Sequence, residues 1–352
     1  MLKLGIIGTG AMANTHAKNF LKIKDVKLTA CCDIDRVKVE KYAKVHSIPG
    51  VYTDLDVMLR SEKLDAVSVV TTDQHHHPVV MKVLSKKINV MCEKPLALNR
   101  KDAWEMARTA KKNGVINNVN FSYRRSPAAQ LAAKMIKNGE LGNIKHVDAH
   151  YQQCWLVSTA WGDWKTDPTW LWRLASGMGS NGVLGDVGVH IFDLTTFIVG
   201  GEISELNCLL KNFPKKPASF RGNKLDANDT AISMVKFKNG AVGTIFASRF
   251  ITGHSNDLKV GVYGDKGAIE LYLDPNIESS YQELRVCKGD NALKKYLWET
   301  VIAPETPNLY ERFINGIKTG KNGPGDFATG AKVQDYLDRC FESDKKKKWV
   351  RV

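Results

Sequence analysis

The sequence predicts an α/β protein in two parts. Residues 1–122 read as a doubly wound parallel sheet, and residues 123–352 as an α+β domain with a mainly antiparallel, open sheet. Three observations carry this. Short apolar strands alternate strictly with helical stretches through the first part, which is the pattern of consecutive βαβ units. The alternation stops beyond Ser126, and strand signals dominate from Ile203; Asn239-Gly240 marks a hairpin because both positions accept positive φ. The chain has 352 residues, enough for two sizeable cores.

The elements follow in order. Leu4 to Ile7 is an apolar run suited to a strand buried on both faces. It turns through Gly8-Thr9-Gly10-Ala11-Met12-Ala13 into an amphipathic segment, Ala11 to Lys24. Gly8 permits the tight turn, Gly10 has no Cβ to hold a phosphate away, and Ala13 lets the helix pack close to the strand. The free amides and the positive end of the helix dipole then face an anion, so the turn reads as a pyrophosphate cradle. Its place between a strand and a helix separates it from any other glycine-rich turn.

Val26 to Cys32 is the second strand, with Asp33 at its carboxyl end. Helical spacing resumes over Arg36 to Val45. Val51-Tyr52 is a short strand, and Thr53-Asp54 caps a helix running to Arg60. Ala66 to Val70 is a fourth strand. A helix begins near His76, with Pro78 in its first turn, and runs to about Lys86. Asn89 to Cys92, Asn99 to Asn113 and Val115 to Phe121 complete the first part as strand, helix and strand. In the second part, Ala128 to Asn138 is a helix and Ile144 to Gln153 a strand. A long irregular segment leads to Asp186, and a helix spans Val187 to Val199. Thr230 to Phe237 pairs with Ala241 to Phe250, and Val260 to Tyr263 with Ala268 to Leu273. Leu309 to Lys318 and Ala328 to Ser343 close the chain as helices.

Composition excludes several classes. The formal charge of +14 is dispersed, apart from Lys345 to Lys348, and no nucleic-acid motif accompanies it. No nucleic-acid partner is expected; the positive potential instead attracts a dinucleotide or an anionic substrate. No apolar run is long enough to cross a bilayer and no signal segment precedes the first strand, so no membrane partner and a cytoplasmic location are expected. The seven cysteines include no Cys-x-x-Cys pair, and His75-His76-His77 point in different directions. No metal is expected.

Asp33 lies 20 residues after Ala13, where a carboxylate takes the two ribose hydroxyls of an adenosine and repels a 2′-phosphate. NAD is therefore favoured over NADP, although Arg36 nearby works against the distinction. Glu93-Lys94-Pro95 sits just past strand five, at the edge where doubly wound sheets bind ligands. Lys94 there can hold a substrate hydroxyl or share a proton as hydride leaves the carbon. Asp186 and His190 are four apart and share a helical face. His190 suits a general base, and Asp186 can orient it or hold a neighbouring hydroxyl. The same spacing also fits a capping carboxylate with an unrelated histidine one turn on. Five of the eight tryptophans fall within 18 residues, Trp155 to Trp172. They either present flat apolar faces to a sugar ring, with Arg173 reaching a hydroxyl or carboxylate, or pack a long loop or subunit contact.

Taken in order, Gly8 to Ala13, Asp33, Glu93-Lys94-Pro95-Leu96, Tyr123-Arg124, Gly139-Glu140-Leu141-Gly142, Asp186-x-Gly188-x-His190 and Tyr263-Gly264-x-x-Gly267 resemble the glucose–fructose oxidoreductase / inositol dehydrogenase family (Gfo/Idh/MocA) over nearly the whole chain. The resemblance implies a Rossmann domain holding NAD(P) through Gly8, Gly10, Ala11, Met12, Asp33, Thr71, Asp73, His76, Glu93 and Lys94. It implies Lys94, Asp186 and His190 as the catalytic constellation, with Tyr123, Arg124, Trp172 and Arg173 beside the substrate. It implies oxidation of a sugar or cyclitol hydroxyl by an enzyme that dimerises or tetramerises through its second sheet. One departure stands out: where the family usually reads Thr-Pro-Asn, this chain has Thr71-Thr72-Asp73, which adds a negative charge beside the phosphates. Two other readings remain: a redox-neutral glycosidase or epimerase-like enzyme that retains its NAD, and a non-catalytic dinucleotide-dependent sensor. The joint presence of Lys94, Asp186 and His190 speaks against the sensor.

Overall fold

A computed structural model describes residues 1–274 and 281–352. The chain divides into two compact units, the first made of Met1–Ser122 with Pro307–Gln334 and the second of Tyr123–Thr306 with Asp335–Val352.

The first unit alternates β1 (Leu2–Ile7), α1 (Ala11–Leu21), β2 (Val26–Cys32), α2 (Arg36–His46), β3 (Gly50–Tyr52), α3 (Leu55–Ser61), β4 (Ala66–Val69), α4 (His76–Ser85), β5 (Asn89–Cys92), α5 (Arg100–Lys112) and β6 (Asn117–Val119). The strands form one parallel sheet in the order β3-β2-β1-β4-β5-β6. Strands covered on both faces read as near-continuous apolar runs, and β4 is buried throughout, its one polar residue, Ser68, paired with His16. The order reverses between β1 and β4, which opens the crevice for a ligand at their carboxyl ends. Helix α1 stops at Leu21 rather than Lys24 because the chain turns back into β2, with Asp25 at φ 68°. Asp54 caps α3 by accepting from the Val57 N–H, and Asn99 caps α5 by accepting from Asp102.

The expected division at residue 122 needs one correction. Residues 307–334 belong with the first unit rather than the second. The helix Leu309–Thr319 places Tyr310, Phe313 and Ile314 in the core formed by Leu4, Ala13, Phe20 and Leu28. Phe20 meets Tyr310 edge-on at 5.0 Å. Asn117 fastens the following stretch, since its Oδ1 accepts from the Phe327 N–H at 2.7 Å. These contacts span about half the chain, so local periodicity does not reveal them.

The second unit runs α6 (Pro127–Lys137), β7 (Ile144–Gln153), α7 (Leu171–Leu174), α8 (Val189–Val199), β8 (Ile203–Lys211), β9 (Ser219–Phe220), β10 (Asn223–Lys224), β11 (Thr230–Phe237), β12 (Val242–Ser248), β13 (Asn256–Gly264), β14 (Gly267–Asp274), β15 (Tyr281–Lys288), α9 (Asp290–Lys295), β16 (Glu299–Val301) and β17 (Val350–Arg351). Nine strands form a mixed sheet in the order β16-β15-β14-β13-β7-β12-β11-β8-β17, antiparallel except for the parallel β7–β12 pair. The β11–β12 hairpin turns at Asn239-Gly240 with Gly240 at φ 89°. Along β11, burial alternates strictly with exposure, so Ile232 and Met234 lie on an open face with Leu209 and Val242 on adjacent strands. The expected helix from Val187 starts at Val189 instead, preceded by a π-turn over Leu184–Gly188. The seven cysteines are all free. No helix among the described residues is long and apolar enough to cross a membrane.

Candidate functional site

In the first unit, the glycine turn has the geometry its sequence requires. Gly8 adopts φ 88°, and a Cβ there would lie 2.6 Å from the Val70 carbonyl oxygen and 2.8 Å from the Thr71 nitrogen. Only glycine fits. At Gly10 the opposite holds: a Cβ would meet nothing within 4 Å, so the backbone faces open space at the start of α1. Ala11 and Met12 are exposed on the first turn of α1, while Ala13 is buried against the sheet. Asp33 is tied to this turn, its Oδ2 accepting from the Thr9 N–H at 2.8 Å and from Thr9 Oγ1 at 2.9 Å. Its Oδ1 accepts from the Asp35 N–H at 3.0 Å. Arg36 points along its own helix to Glu40 at 2.8 Å, on an exposed face. After β4, Thr71 Oγ1 is buried without a partner, and Asp73 opens a short turn, Asp73–His75, ahead of α4. The open backbone at Gly10, the carboxylate at Asp33 and the orphaned hydroxyl at Thr71 together fit a dinucleotide.

Two residues expected to touch the cofactor are interior supports instead. His76 is fully buried, with Nδ1 2.7 Å from the Pro95 carbonyl and Nε2 3.1 Å from the Thr71 carbonyl. It braces the loop after β4 against the loop after β5. Glu93 is buried as well. Its Oε1 accepts from His16 Nε2 at 2.7 Å and from Asn120 Nδ2 at 2.6 Å, while Oε2 accepts from the Lys94 N–H at 3.2 Å. His16 Nδ1 reaches Ser68 Oγ at 2.7 Å, and the His16 ring stands edge-on to Tyr310 at 5.1 Å. Burial alone would raise the Glu93 carboxyl, but the hydrogen bond and attraction of His16, the Asn120 amide and the Lys94 charge outweigh it and bring the pKa down to about 2. Lys94 thus follows a fixed anion, half-buried at the carboxyl edge of the sheet. The three histidines diverge: His75 is exposed, His76 is buried, and His77 bonds Glu105 at 3.1 Å on the helix surface.

In the second unit the π-turn Leu184–Gly188 carries Asp186, and His190 follows on the first turn of α8. π-Turns interrupting helices recur at functional sites because they re-aim a side chain. Asp186 does not stand alone: its Oδ2 accepts from Arg173 Nε at 3.1 Å and from Arg249 Nη2 at 2.9 Å. The Tyr123 ring meets the His190 ring edge-on at 4.8 Å, and the Tyr151 ring lies at 6.3 Å. A hydrogen-bond chain runs from Tyr123 to Tyr151 (2.6 Å), on to Asn256 (2.6 Å) and to Gln153 (2.7 Å). Burial pushes the Tyr123 phenol up to about 12, and it raises Tyr151 well above the usual tyrosine value as well.

Arg124 is corrected. It is buried, and its Nε and Nη2 donate to the two oxygens of Asp193 on α8 at 2.7 and 2.6 Å. It cross-links the start of α6 to α8 instead of facing a substrate, and its partner lies 69 residues away. Two of the tryptophans take the packing role. Trp155 and Trp164 are buried in a cluster with Leu156, Leu171 and Leu174, so they pack the loop. Trp172 is half-buried, and the Arg173 guanidinium lies 4.2 Å from its ring centroid. That ring face is taken by the arginine.

Several residues escaped the sequence reading. His16 lies on the apolar face of α1 with Ala13, Ala17 and Phe20, and a polar side chain on such a face is the signal that was there to be used. Asn120 directly follows β6, at the same sheet edge as Lys94. Arg249, Asp193, Tyr151 and Asn256 gave no local signal, because each is defined by a partner far along the chain. Lys94 lies in the first unit, and Asp186 and His190 in the second.

Both parts of the chain match known families. Residues 2–121 match the model of the oxidoreductase family with NAD-binding Rossmann fold, and residues 129–270 that of the GFO/IDH/MocA C-terminal domain. A levoglucosan dehydrogenase of Pseudarthrobacter phenanthrenivorans is 25% identical across 100% of this chain and 98% of its own. A D-glucoside 3-dehydrogenase of Escherichia coli is 29% identical across 97% of this chain and 95% of its own. The solved structure of an oxidoreductase domain protein from Kribbella flavida superposes with a TM-score of 0.87 at 26% identity, covering 100% of this chain and 99% of that one.

Proposed function

We propose, from the premise that the chain belongs to the Gfo/Idh/MocA oxidoreductase family and is an NAD(P)-dependent dehydrogenase, that it oxidises a hydroxyl of a sugar, cyclitol or related polyol with NAD. Bound NAD supplies the hydride acceptor. The turn at Gly8 and Gly10 takes the pyrophosphate on the positive end of α1, with Thr71 alongside. Asp33, oriented by Thr9, takes the adenosine ribose hydroxyls and disfavours a 2′-phosphate; Arg36, paired with Glu40, does not answer that charge. Lys94, set by Glu93 at the sheet edge, holds the substrate hydroxyl. His190 takes its proton as the C–H bond breaks.

The observation that carries this reading is the occupancy of Asp186. A carboxylate oxygen already accepting from two guanidinium groups is a poor acceptor for a substrate proton, and the neighbouring phenols titrate far above neutrality. His190 is the group beside them whose chemistry suits the task at neutral pH. The dehydrogenases named above support a sugar as substrate. The same reading places the enzyme in the cytoplasm as a homodimer or homotetramer, and the apolar open face around Leu209, Ile232, Met234 and Val242 supports assembly through the second sheet.

The experiment is a panel containing levoglucosan, myo-inositol and glucosides, with NAD or NADP, followed by NADH absorbance. NAD reduction with at least one member is expected, and no reduction with any would defeat the proposal. Asp33→Ala tests the cofactor assignment. Losing a charged acceptor for two hydroxyls should raise the KM for NAD about tenfold and narrow the preference over NADP. An unchanged KM for NAD would remove Asp33 from the ribose site.

A further inference from the structure

Arg249 heads the fully buried side chains by volume among the described residues. It follows the last residue of β12, and its backbone N–H donates to the Asp229 carbonyl at 3.0 Å. Its guanidinium makes three bonds to one stretch of chain. Nη1 donates to the Arg173 carbonyl at 3.0 Å, while Nη2 donates to the Gly182 carbonyl at 3.3 Å and to Asp186 Oδ2 at 2.9 Å. The plane is steadied by Trp155, whose ring centroid lies 5.1 Å from Cζ.

Enclosing a guanidinium in protein carries a desolvation cost that a methionine or leucine of similar bulk would avoid. Packing therefore does not account for an arginine here, and Nε is left buried without a partner. What the arginine offers is a rigid planar fork that reaches two carbonyls and a carboxylate together, which lysine cannot do. The three acceptors bracket the segment entering the π-turn. Gly182 sits there at φ 64°, where a Cβ would lie 2.6 Å from Asn228, and Asn228 in turn accepts from the Leu184 N–H at 3.1 Å. The charged and titratable groups around Asp186 include Arg173 and Arg249 in direct contact and Tyr123 and Tyr151 at longer range; Asp229, paired with Lys215 at 2.6 Å, lies behind Arg249.

We propose that Arg249 is a positioning residue for the oxidation: its fork fixes the π-turn and the Asp186 carboxylate, and through them the place of His190. The inference rests on the proposed roles of Asp186 and His190.

The test compares Arg249→Met, Arg249→Lys, Asp186→Asn and the double variant R249M/D186N, using NAD and a panel sugar that the wild type oxidises. R249M should lower kcat about 100-fold, the scale of a misplaced catalytic group, with the Kd for NADH unchanged by fluorescence titration. R249K keeps the charge but not the fork and should recover only part of kcat. If Arg249 acts through Asp186, R249M should add less than about threefold to the loss already caused by D186N. Wild-type kcat in R249M, or losses that multiply in the double variant, would overturn the inference. Should R249M fail to fold, R249K decides, because full activity with the fork removed gives the same negative answer. His190→Ala run alongside separates the two levels: wild-type turnover in that variant defeats the proposed function whatever Arg249 does. If no panel member is oxidised, NMR titration of the His190 imidazole, identified by its absence in H190A, takes over. R249M, which removes a cation, and D186N, which removes an anion, should move that titration in opposite directions, and no movement in R249M rejects the inference.

Discussion

His190→Ala is expected to lower kcat by about 10³-fold, within the span that a positioned general base contributes, while NADH binds as tightly as to the wild type. The groups assigned to the dinucleotide, Gly8, Gly10, Asp33 and Thr71, all lie in the first unit, so truncating His190 removes nothing they need. What it removes is an acceptor that its neighbours cannot replace. Asp186 Oδ2 is held by Arg173 and Arg249. Burial disfavours the phenolates of Tyr123 and Tyr151, lifting Tyr123 to about 12 and Tyr151 well above the usual tyrosine value. Alanine also vacates the place beside the Tyr123 ring, which contacts the imidazole edge-on at 4.8 Å and fixes its plane. Steady-state rates on the best panel substrate, with cofactor binding followed by tryptophan fluorescence, give the answer. The acid limb of the kcat/KM profile should disappear with the imidazole. Turnover at the wild-type rate would move the base elsewhere.

The features legible in the sequence are those set by neighbours in the chain. Gly8 and Gly10 declare the cradle because a positive φ and an open backbone are demands on single residues, and both are met. Asn239-Gly240 declares its hairpin for the same reason, and the strand Ile144–Gln153 has the limits its alternation predicts. Spacing alone proposes Asp33 for the ribose, and its tie to Thr9 supplies an orientation that spacing lacks. That Lys94, Asp186 and His190 act as a set is what the family resemblance implies, not what their spacing shows.

The features missed depend on pairings across long stretches. Arg124 looks like a substrate residue beside Tyr123 until Asp193, far along the chain, claims its guanidinium. Glu93 and His76 sit in motifs associated with the cofactor, yet both face inward and contact the backbone of Lys94 and Thr71. The return of residues 307–334 to the first unit is silent in the sequence because Tyr310 and Phe313 read as any amphipathic helix does. Which face of a helix is apolar can be read locally; what that face packs against cannot.

Glu93→Gln is expected to cost the first unit about 3 kcal/mol at neutral pH and to flatten its loss of stability in acid. The folded-state carboxyl is held near 2 against an ordinary 4.5, so the folded chain resists protonation more than the unfolded one does. A depressed carboxyl contributes its full stabilisation above the unfolded value, and that contribution fades as pH falls from about 4.5 towards 2. Glutamine keeps the shape but brings an N–H₂ where Oε1 or Oε2 accepted, so a donor must face His16, Asn120 or the Lys94 N–H. Asp193 provides the internal contrast. It is as deeply buried, yet burial outweighs its two bonds to Arg124 and raises its carboxyl above the usual value. Its contribution therefore has the opposite sign, growing rather than fading as pH falls. Urea midpoints at pH 7, 5 and 3 separate the two: E93Q should lie well below the wild type at pH 7 and close much of that gap by pH 3, whereas the pH-dependent part of the Asp193→Asn difference should run the other way, the variant losing ground to the wild type as pH falls. Parallel curves for E93Q and wild type would mean that Glu93 is not the acid-sensitive group. Because the Glu93 carboxylate also accepts from the Lys94 N–H, E93Q protein that remains folded at pH 7 should show a reduced kcat as well, linking the stability of this buried anion to the placement of the lysine beside it.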